Sequence, residues 1–276
     1  MSIVTFYNSA REQTGQTMSA IAMATNMAIQ HNVKILLIST SLNDDTIKNC
    51  FWHEKGNLLS GIFGSNTNLV NQSGIEGLDR VVRSNKISPD IIKDYTKVVL
   101  KNRLEVLLGV TGTEEQYSNI SNQYLEIVMQ ASKYYDFVFV DLDRKLSGKV
   151  KKEILKCSDI LVPIVSQNLS TLQNNIDFFQ KVPEISMQKA IFTIGKYYDK
   201  TKYNAKNISR NILKSRDLIN TIPYNILLFE AMQEGRMVDL LLDFARLKGK
   251  DENTEFLSEL TRLGTDIKNK LSLIRK

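Results

Sequence analysis

The sequence is poor in histidine and cysteine, which most often build zinc sites, disulfide frameworks and thiol or imidazole catalysis. It has two of each, and Cys50 and Cys157 lie far apart and match no metal-binding spacing. We therefore expect two reduced, packed thiols. His31 ends a helical segment, where a cation suits the helix dipole, so a structural role is favoured over a catalytic one.

Long apolar runs are also missing. No run reaches the roughly 18 residues that span a membrane, and the N-terminus shows neither a basic leader nor a signal-peptide core. The composition, 42% hydrophobic and 24% charged, is ordinary for a soluble globular chain. These features predict a cytoplasmic protein without a transmembrane segment.

The positive charge is unevenly distributed. The formal net charge is +6, yet residues 181–216 contain nine basic and two acidic residues, and residues 144–156 contain six basic and one acidic residue. Solvated helix faces would explain these clusters. A surface for DNA, acidic lipid or an acidic partner would explain them equally, so both interpretations stay open.

Short apolar runs alternate with helical patterns throughout the 276 residues. The predicted strands are residues 3–6, 34–38, 104–108, 137–140, 160–165, 190–194 and 218–223. This alternation predicts a single α/β domain over residues 1–276, with one doubly wound, mostly parallel sheet of about seven strands flanked by helices. A helix is predicted from residue 88 to about residue 97.

The chain is also predicted to carry a long helix over residues 252–274. Its apolar stripe favours packing on the sheet. Attachment to a membrane surface is the alternative, but acidic residues on the polar face of this helix oppose it.

One loop concentrates the candidate chemistry. Residues 10–17 follow the first strand and precede a helix, which is the setting of a phosphate-binding P-loop. Gly15 and Thr17 fit the P-loop pattern, whereas an alanine replaces its first glycine and Gln16 replaces its lysine. Backbone N–H groups at the helix start can still hold phosphate, and the Thr17 hydroxyl can bind magnesium. Arg11 is the one cation within the loop.

A carboxylate at the end of a distant strand would complete such a site. Asp141 directly follows the apolar run at residues 137–140, and ligands of parallel sheets bind at the C-terminal ends of strands. It would support the magnesium that Thr17 binds. A plain strand–helix turn at Gly15 and Thr17 is the alternative, because so short a match is weak.

Three segments carry a resemblance to a known family. Residues 11–17 (Arg-Glu-Gln-Thr-Gly-Gln-Thr) align with its loop of lysine, two glycines, any residue, glycine, lysine and threonine. Residues 135–141 carry its tyrosine-aspartate, apolar strand, aspartate order, and residues 222–225 (Ile-Pro-Tyr-Asn) stand where it has Ile-Pro-Tyr-Asp. On these segments the chain resembles the MinD/ParA superfamily of deviant P-loop ATPases, and within it the CpaE/TadZ branch.

The resemblance implies a P-loop NTPase-like fold that binds ATP or ADP with magnesium held by Thr17 and Asp141. It also implies a homodimer that positions a protein machine, such as a pilus, secretion or partition system. The nucleotide-binding residues that it implies are Arg11, Thr14, Gly15, Gln16, Thr17, Met18, Gly195, Lys196, Pro223 and Asn225.

Departures from the family pattern indicate lost hydrolysis. Gln16 replaces the P-loop lysine, and Arg11 replaces the signature lysine. Ser39 and Ser41 replace the two acids after the second strand, and Gly195 replaces an asparagine that contacts the base. Removing a positioned phosphate cation usually costs orders of magnitude in rate. We therefore expect a pseudo-ATPase that acts as a localisation or assembly factor.

Two other functions stay open. One is a slow ATPase in which Arg11 acts across a dimer in place of the lysine. The other is a partition-type protein that binds DNA non-specifically and weakly through residues 181–216, where basic residues recur at near-helical spacing with interleaved tyrosines. The basic residues concerned are Lys200, Lys202, Lys206, Arg210 and Lys214.

Overall fold

An eight-stranded sheet forms the centre of the computed structural model, which describes residues 1–9, 12–52, 74–84, 86–210 and 219–275. The order of its strands is β3-β4-β2-β5-β1-β6-β7-β8. The strands are β1 (Ser2–Tyr7), β2 (Ile35–Ser39), β3 (Lys97–Leu100), β4 (Leu104–Leu107), β5 (Phe137–Asp141), β6 (Ile160–Val165), β7 (Thr193–Tyr197) and β8 (Asn220–Pro223).

The strand directions confirm the predicted fold class. Each neighbouring pair is parallel except β3 and β4, which are antiparallel. Because β1 lies between β5 and β6, the segments that follow these three strands meet at one edge of the sheet. The loop after β1 and Asp141 at the end of β5 are therefore neighbours.

The sheet has one strand more than the roughly seven predicted, and one predicted helix was wrong. The sheet has eight strands, and the predicted helix from residue 88 ends early. A short helix at Pro89–Ile92 and a 3₁₀ turn at Lys93–Tyr95 lead into β3 instead. β3 lies at the sheet edge with Lys97 and Val98 exposed, so it lacks the apolar pattern of a buried strand. Its pairing with β4, through a turn in which Asn102 has φ 60°, forms the strand.

Helices cover both faces of the sheet. Those within the described residues are α1 (Gln16–Gln30), α2 (Thr46–Phe51), α3 (Ile75–Arg83), α4 (Pro89–Ile92), α5 (Glu114–Ser121), α6 (Tyr124–Ala131), α7 (Gly148–Cys157), α8 (Leu169–Lys181), α9 (Ala205–Ile208), α10 (Leu227–Glu234), α11 (Met237–Arg246) and α12 (Glu252–Ile274).

Alternation along the strands divides the core into two apolar clusters. In β1, Val4 and Phe6 pack with α1, α11 and α12, whereas Ile3 and Tyr7 pack with helices α3 and α5 to α8. Every residue of β1 and β5 is buried, which explains why these central strands are mostly apolar on both faces. The expectation of one domain over all 276 residues stays a prediction, because part of the chain lies outside the described residues.

The last helix has the predicted bounds. The Asp251 side chain accepts hydrogen bonds from Asn253 and Thr254 and caps its N-terminus. Its apolar stripe is buried in the core from Phe256 to Leu271, while Ile274 is 43% exposed. The stripe therefore packs within the fold over most of its length. Among the described residues no helix has the length and apolarity needed to cross a membrane.

Candidate functional site

The loop after β1 reaches helix α1 through a left-handed residue. Gly15 has φ 79° and ψ 23° and precedes the first helical residue. Such a conformation favours glycine, which has no Cβ to clash with the backbone. The Gly15 carbonyl accepts from the Ser19 backbone N–H and from its hydroxyl, which closes the first turn of α1. Ala10 and Arg11 lie outside the described residues, so the proposed role of Arg11 stays a prediction.

Three predicted site residues meet at the end of β5. The Gln16 side chain Nε2 donates to Asp141 Oδ1 at 2.6 Å and to the Leu142 carbonyl at 3.1 Å. The Thr17 hydroxyl donates to Asp141 Oδ2 at 2.8 Å. Both oxygens of the carboxylate therefore accept a hydrogen bond from the start of α1. The residue in the lysine position is a neutral amide bound to an aspartate.

Burial controls the proton affinity of Asp141. The residue is 5% exposed, and burial raises the pKa of its carboxyl to about 6. The bonds from Gln16 and Thr17 oppose this rise in pKa, because they stabilise the ionised form. The nearby charges of Asp44 and Asp143 add to the rise. With a pKa of about 6, the Asp141 carboxyl is half protonated about one unit below neutral pH.

The oxygens of Thr17 and Asp141 fit a magnesium ion that is shared with phosphate. Magnesium prefers oxygen ligands, keeps several waters, and is usually held by one or two carboxylates together with substrate phosphates. When bound, the ion would neutralise charge on the phosphates. Within the described ranges no group of three or more histidine, cysteine and acidic side chains forms a self-sufficient metal site.

The hydroxyl groups of Ser39, the last residue of β2, and Ser41 form a hydrogen bond with each other. Ser39 Oγ and Ser41 Oγ lie 2.7 Å apart, and both residues are buried. Thr40, between them, donates to the Asp141 carbonyl at 3.0 Å and accepts from the Asp143 backbone N–H at 2.7 Å. Through these two hydrogen bonds, Thr40 links the end of β2 to the end of β5. The hydroxyl groups of Ser39, Thr40 and Ser41 therefore have a structural role.

Sequence reasoning gave no role to Glu12. Its carboxylate accepts hydrogen bonds from the hydroxyl groups of Ser166 and Thr171 and from the Asn168 amide. These bonds hold the pKa of Glu12 below its usual value. They also place a fixed negative charge in the loop, which opposes phosphate binding. The partners follow Glu12 by more than 150 residues, so no local pattern could reveal them.

The end of β7 packs directly against the loop. Gly195 is buried, and a Cβ placed on it would lie 2.2 Å from the Thr14 carbonyl oxygen. Only a glycine allows that approach without a shift of the backbone. Thr14 is itself buried, and its hydroxyl has no hydrogen-bond partner among the described residues. Gly195 therefore allows the end of β7 to pack closely against Thr14 of the loop.

Lys196 extends its side chain along the loop. A Cβ placed on Gly15 would lie 3.2 Å from Lys196 Cγ and 3.4 Å from Lys196 Cε. The backbone of Lys196 has φ 49°, which is uncommon for a residue other than glycine. The ammonium group, one bond beyond Cε, thus belongs to the same cavity as Gln16 and Thr17. This cavity, which we call the loop cavity, has a volume of about 540 Å³.

Two other predicted nucleotide residues, Pro223 and Asn225, line a second, much smaller cavity of about 30 Å³. Met18 lines both this cavity and the loop cavity. The side chain of Asn225 accepts from the Leu227 backbone N–H and donates to Asn253. Its polar atoms are thus bonded within the protein.

The basic cluster is only partly within the described residues. Lys200, Lys202, Lys206 and Arg210 are exposed, whereas Lys214 lies outside the described residues. The short helix α9 (Ala205–Ile208) lies within this cluster. Nearby tyrosines are also exposed, by 54% at Tyr198 and 38% at Tyr203. Gln167 donates to the Tyr198 and Tyr203 carbonyls and accepts from the Tyr198 N–H, which holds this surface in place.

Comparisons with solved structures show the same fold in ATPases, although no protein-family model and no curated protein sequence matches the chain. A ParA family ATPase from Chlorobium tepidum TLS has a TM-score of 0.69 at 14% identity, over 96% of this chain and 98% of that chain. The septum site-determining protein MinD of Pyrococcus horikoshii OT3, complexed with Mg-ADP, has a TM-score of 0.63 at 14% identity, over 98% of each chain. A plasmid partition protein from Borrelia burgdorferi B31, bound to AMPPNP, has a TM-score of 0.60 at 16% identity, over 96% of this chain and 98% of that chain. The chain therefore has the fold of the ParA/MinD P-loop ATPases.

Proposed function

We propose that this chain is a degenerate MinD/ParA-like positioning factor that binds a nucleotide weakly and hydrolyses it slowly or not at all. The hydrogen bond from Gln16 to Asp141 carries the proposal. A P-loop lysine would offer a full charge to the phosphates, whereas this amide is neutral and already engaged. The protein would then act through its fold and a homodimer, placing a pilus, secretion or partition machine in the manner of the CpaE/TadZ branch.

The charges of the loop cavity support weak binding of nucleotide. Glu12, Asp44, Asp141 and Asp143 line the cavity and bring four carboxyl groups, against two basic side chains from Arg144 and Lys196. Phosphates would meet repulsion from these groups unless magnesium is bound beside Asp141. The loop backbone and the Thr17 hydroxyl remain suited to phosphate and metal. These opposing contributions predict that nucleotide binds weakly and has a structural role.

Calorimetry with Mg-ATP on the full chain tests the proposal. We expect a dissociation constant in about the millimolar range for the wild type. Gln16→Lys should tighten binding about tenfold or more, because it restores the cation at the phosphate position. Asn174→Lys adds the same charge at an exposed position of α8 that does not line the loop cavity and should change the affinity much less. Wild-type turnover above about 1 s⁻¹ in a phosphate-release assay would overturn the proposal.

DNA binding is the second candidate, and the exposed tyrosines beside the basic residues favour it. Stacking of bases on Tyr198 and Tyr203, with phosphate contacts from the neighbouring lysines, would bind DNA without sequence specificity. Lys202 Nζ lies 5.0 Å from the centre of the Tyr203 ring. Gel shifts across a salt series should show binding that falls steeply with salt. No shift at low salt would reject this function.

A further inference from the structure

A second cavity, with a volume of about 370 Å³, lies beside the loop cavity. It is bounded by the end of β1, the segment after β5, and helices α7 and α8, so we call it the α7–α8 cavity. Its apolar wall comes mainly from Leu155, Phe178 and Ile185. The volume falls within the range of small-molecule sites, and an apolar wall is typical of them.

A buried hydroxyl group behind the wall of this cavity has no partner among the described residues. Tyr7 contributes to the wall and is 3% exposed, and its hydroxyl forms no hydrogen bond within the part of the chain that the structure describes. Burial raises the pKa of Tyr7 well above its usual value, so the hydroxyl keeps its proton and can donate. Buried polar groups normally have partners because an unpaired one is costly. Because the hydroxyl oxygen itself has almost no accessible surface, an acceptor on a bound ligand reaches it only after a small movement of the wall.

Three basic side chains, Arg144, Lys151 and Lys152, line the cavity. Lys151 Nζ donates to the Arg144 carbonyl at 2.9 Å, which holds the ammonium group near the cavity and leaves it further donors. Lys152 also lines the cavity and pairs with Glu184 at 2.9 Å. Among the described residues of the lining, Asp143 is the one acidic residue, against three basic ones. This excess of positive charge favours an anion.

We infer that the α7–α8 cavity binds a small amphiphilic anion, with an apolar body inside, an acceptor for the Tyr7 hydroxyl and a negative charge near Lys151. The apolar wall, the Tyr7 donor and the basic lining each select one part of such a molecule. The cavity adjoins the loop cavity, but the inference does not depend on nucleotide binding. Because Asn8 and Asp143 line both cavities, an occupant would touch the segments that frame the loop.

Fluorescence titration of the full chain with 1-anilinonaphthalene-8-sulfonate tests this inference. The probe has an aromatic body and a sulfonate, and we expect saturable binding to one site. Gly148→Phe should weaken it at least tenfold, because Gly148 lines the cavity and a Cβ there meets no atom within 4 Å. Lys149→Phe is the matched control, since Lys149 is exposed on the same helix but does not line the cavity. This control should bind as the wild type does.

Two further measurements separate the chemical parts of the site. Tyr7→Phe removes the donor and keeps the ring, so it should weaken competition by octanoate about threefold to tenfold. Octanoate should displace the probe, whereas octylamine, with the opposite charge, should displace it poorly. Equal probe affinity in Gly148→Phe and wild type would overturn the inference. Equal displacement by octylamine and octanoate, or non-saturable binding, would overturn it as well.

Discussion

Gln16 Nε2 lies 2.6 Å from Asp141 Oδ1 and joins the start of the first helix to the end of the fifth strand. In a P-loop with lysine the same position would carry a positive charge beside bound phosphate. Here an amide satisfies a buried carboxylate, with Thr17 on the other oxygen. The phosphate-loop architecture is thus held together by bonds among its own residues.

Removing the amide should destabilise the fold. Gln16→Ala leaves Asp141 Oδ1 without its donor, and we expect a loss of about 1–3 kcal/mol in the free energy of unfolding at pH 8. The loss should be smaller at pH 4, where Asp141 is protonated and its need for donors is weaker. Urea denaturation at both pH values measures this difference. Gln13→Ala, at an exposed position in the same loop, should change stability by less than about 0.5 kcal/mol.

Asp141 should make stability depend on pH in a defined direction. Its pKa in the folded protein is about 6, above the ordinary value of 3.8, so the folded state binds the proton more tightly. The resulting stabilisation is complete below about pH 4 and is lost as pH rises through about 6. This rise in pKa of about two units corresponds to about 3 kcal/mol in the free energy of unfolding.

Asp141→Asn isolates this contribution. Asparagine keeps the shape of the side chain and cannot titrate. The free energy of unfolding of the variant, relative to that of the wild type, should therefore rise by about 2–3 kcal/mol from pH 4 to pH 8. Urea midpoints across that range provide the measurement. Parallel stability curves for the two proteins would contradict the assigned pKa.

Gly195 should tolerate no side chain. A Cβ would lie 2.2 Å from the Thr14 carbonyl and 2.8 Å from Ile164 Cγ2, so Gly195→Ala must displace the loop. We expect a loss of about 1–3 kcal/mol in a denaturation experiment. Gly148→Ala is the control, because its Cβ meets no atom within 4 Å. The control should be neutral or more stable by about 0.5–1 kcal/mol.

Lys196 should be the described cation that contributes most to anion binding in the loop cavity. Lys196→Met keeps an apolar side chain against Gly15 and removes the charge, so the melting temperature should change little. Affinity for Mg-ATP or pyrophosphate should fall about tenfold, as measured by calorimetry. Lys200→Met, an exposed residue nearby, is the matched control. Equal losses in both variants would indicate a general charge effect.

Much of the fold follows from local patterns. The apolar run before Asp141 predicted a buried strand, and the structure has that strand with Asp141 as its last residue. The helix over residues 252–274 was predicted with its observed bounds, because its apolar positions repeat at helical spacing. β3 was missed because Lys97 and Val98 are exposed at the edge and have no buried pattern. Its existence depends on pairing with β4, which is an interaction between segments.

The sequence alone determined the alternation of strands and helices, the phosphate-loop setting of Gly15 and Thr17, and the loss of the lysine at Gln16. These features are local, since periodicity, turn chemistry and residue identity can be read along the chain. Only the tertiary structure decided which polar groups meet. Gln16 bonds to an aspartate 125 positions away, and Glu12 bonds to Thr171 over 159 positions. Such partners depend on the order of strands in the sheet, which brings distant strand ends to one edge.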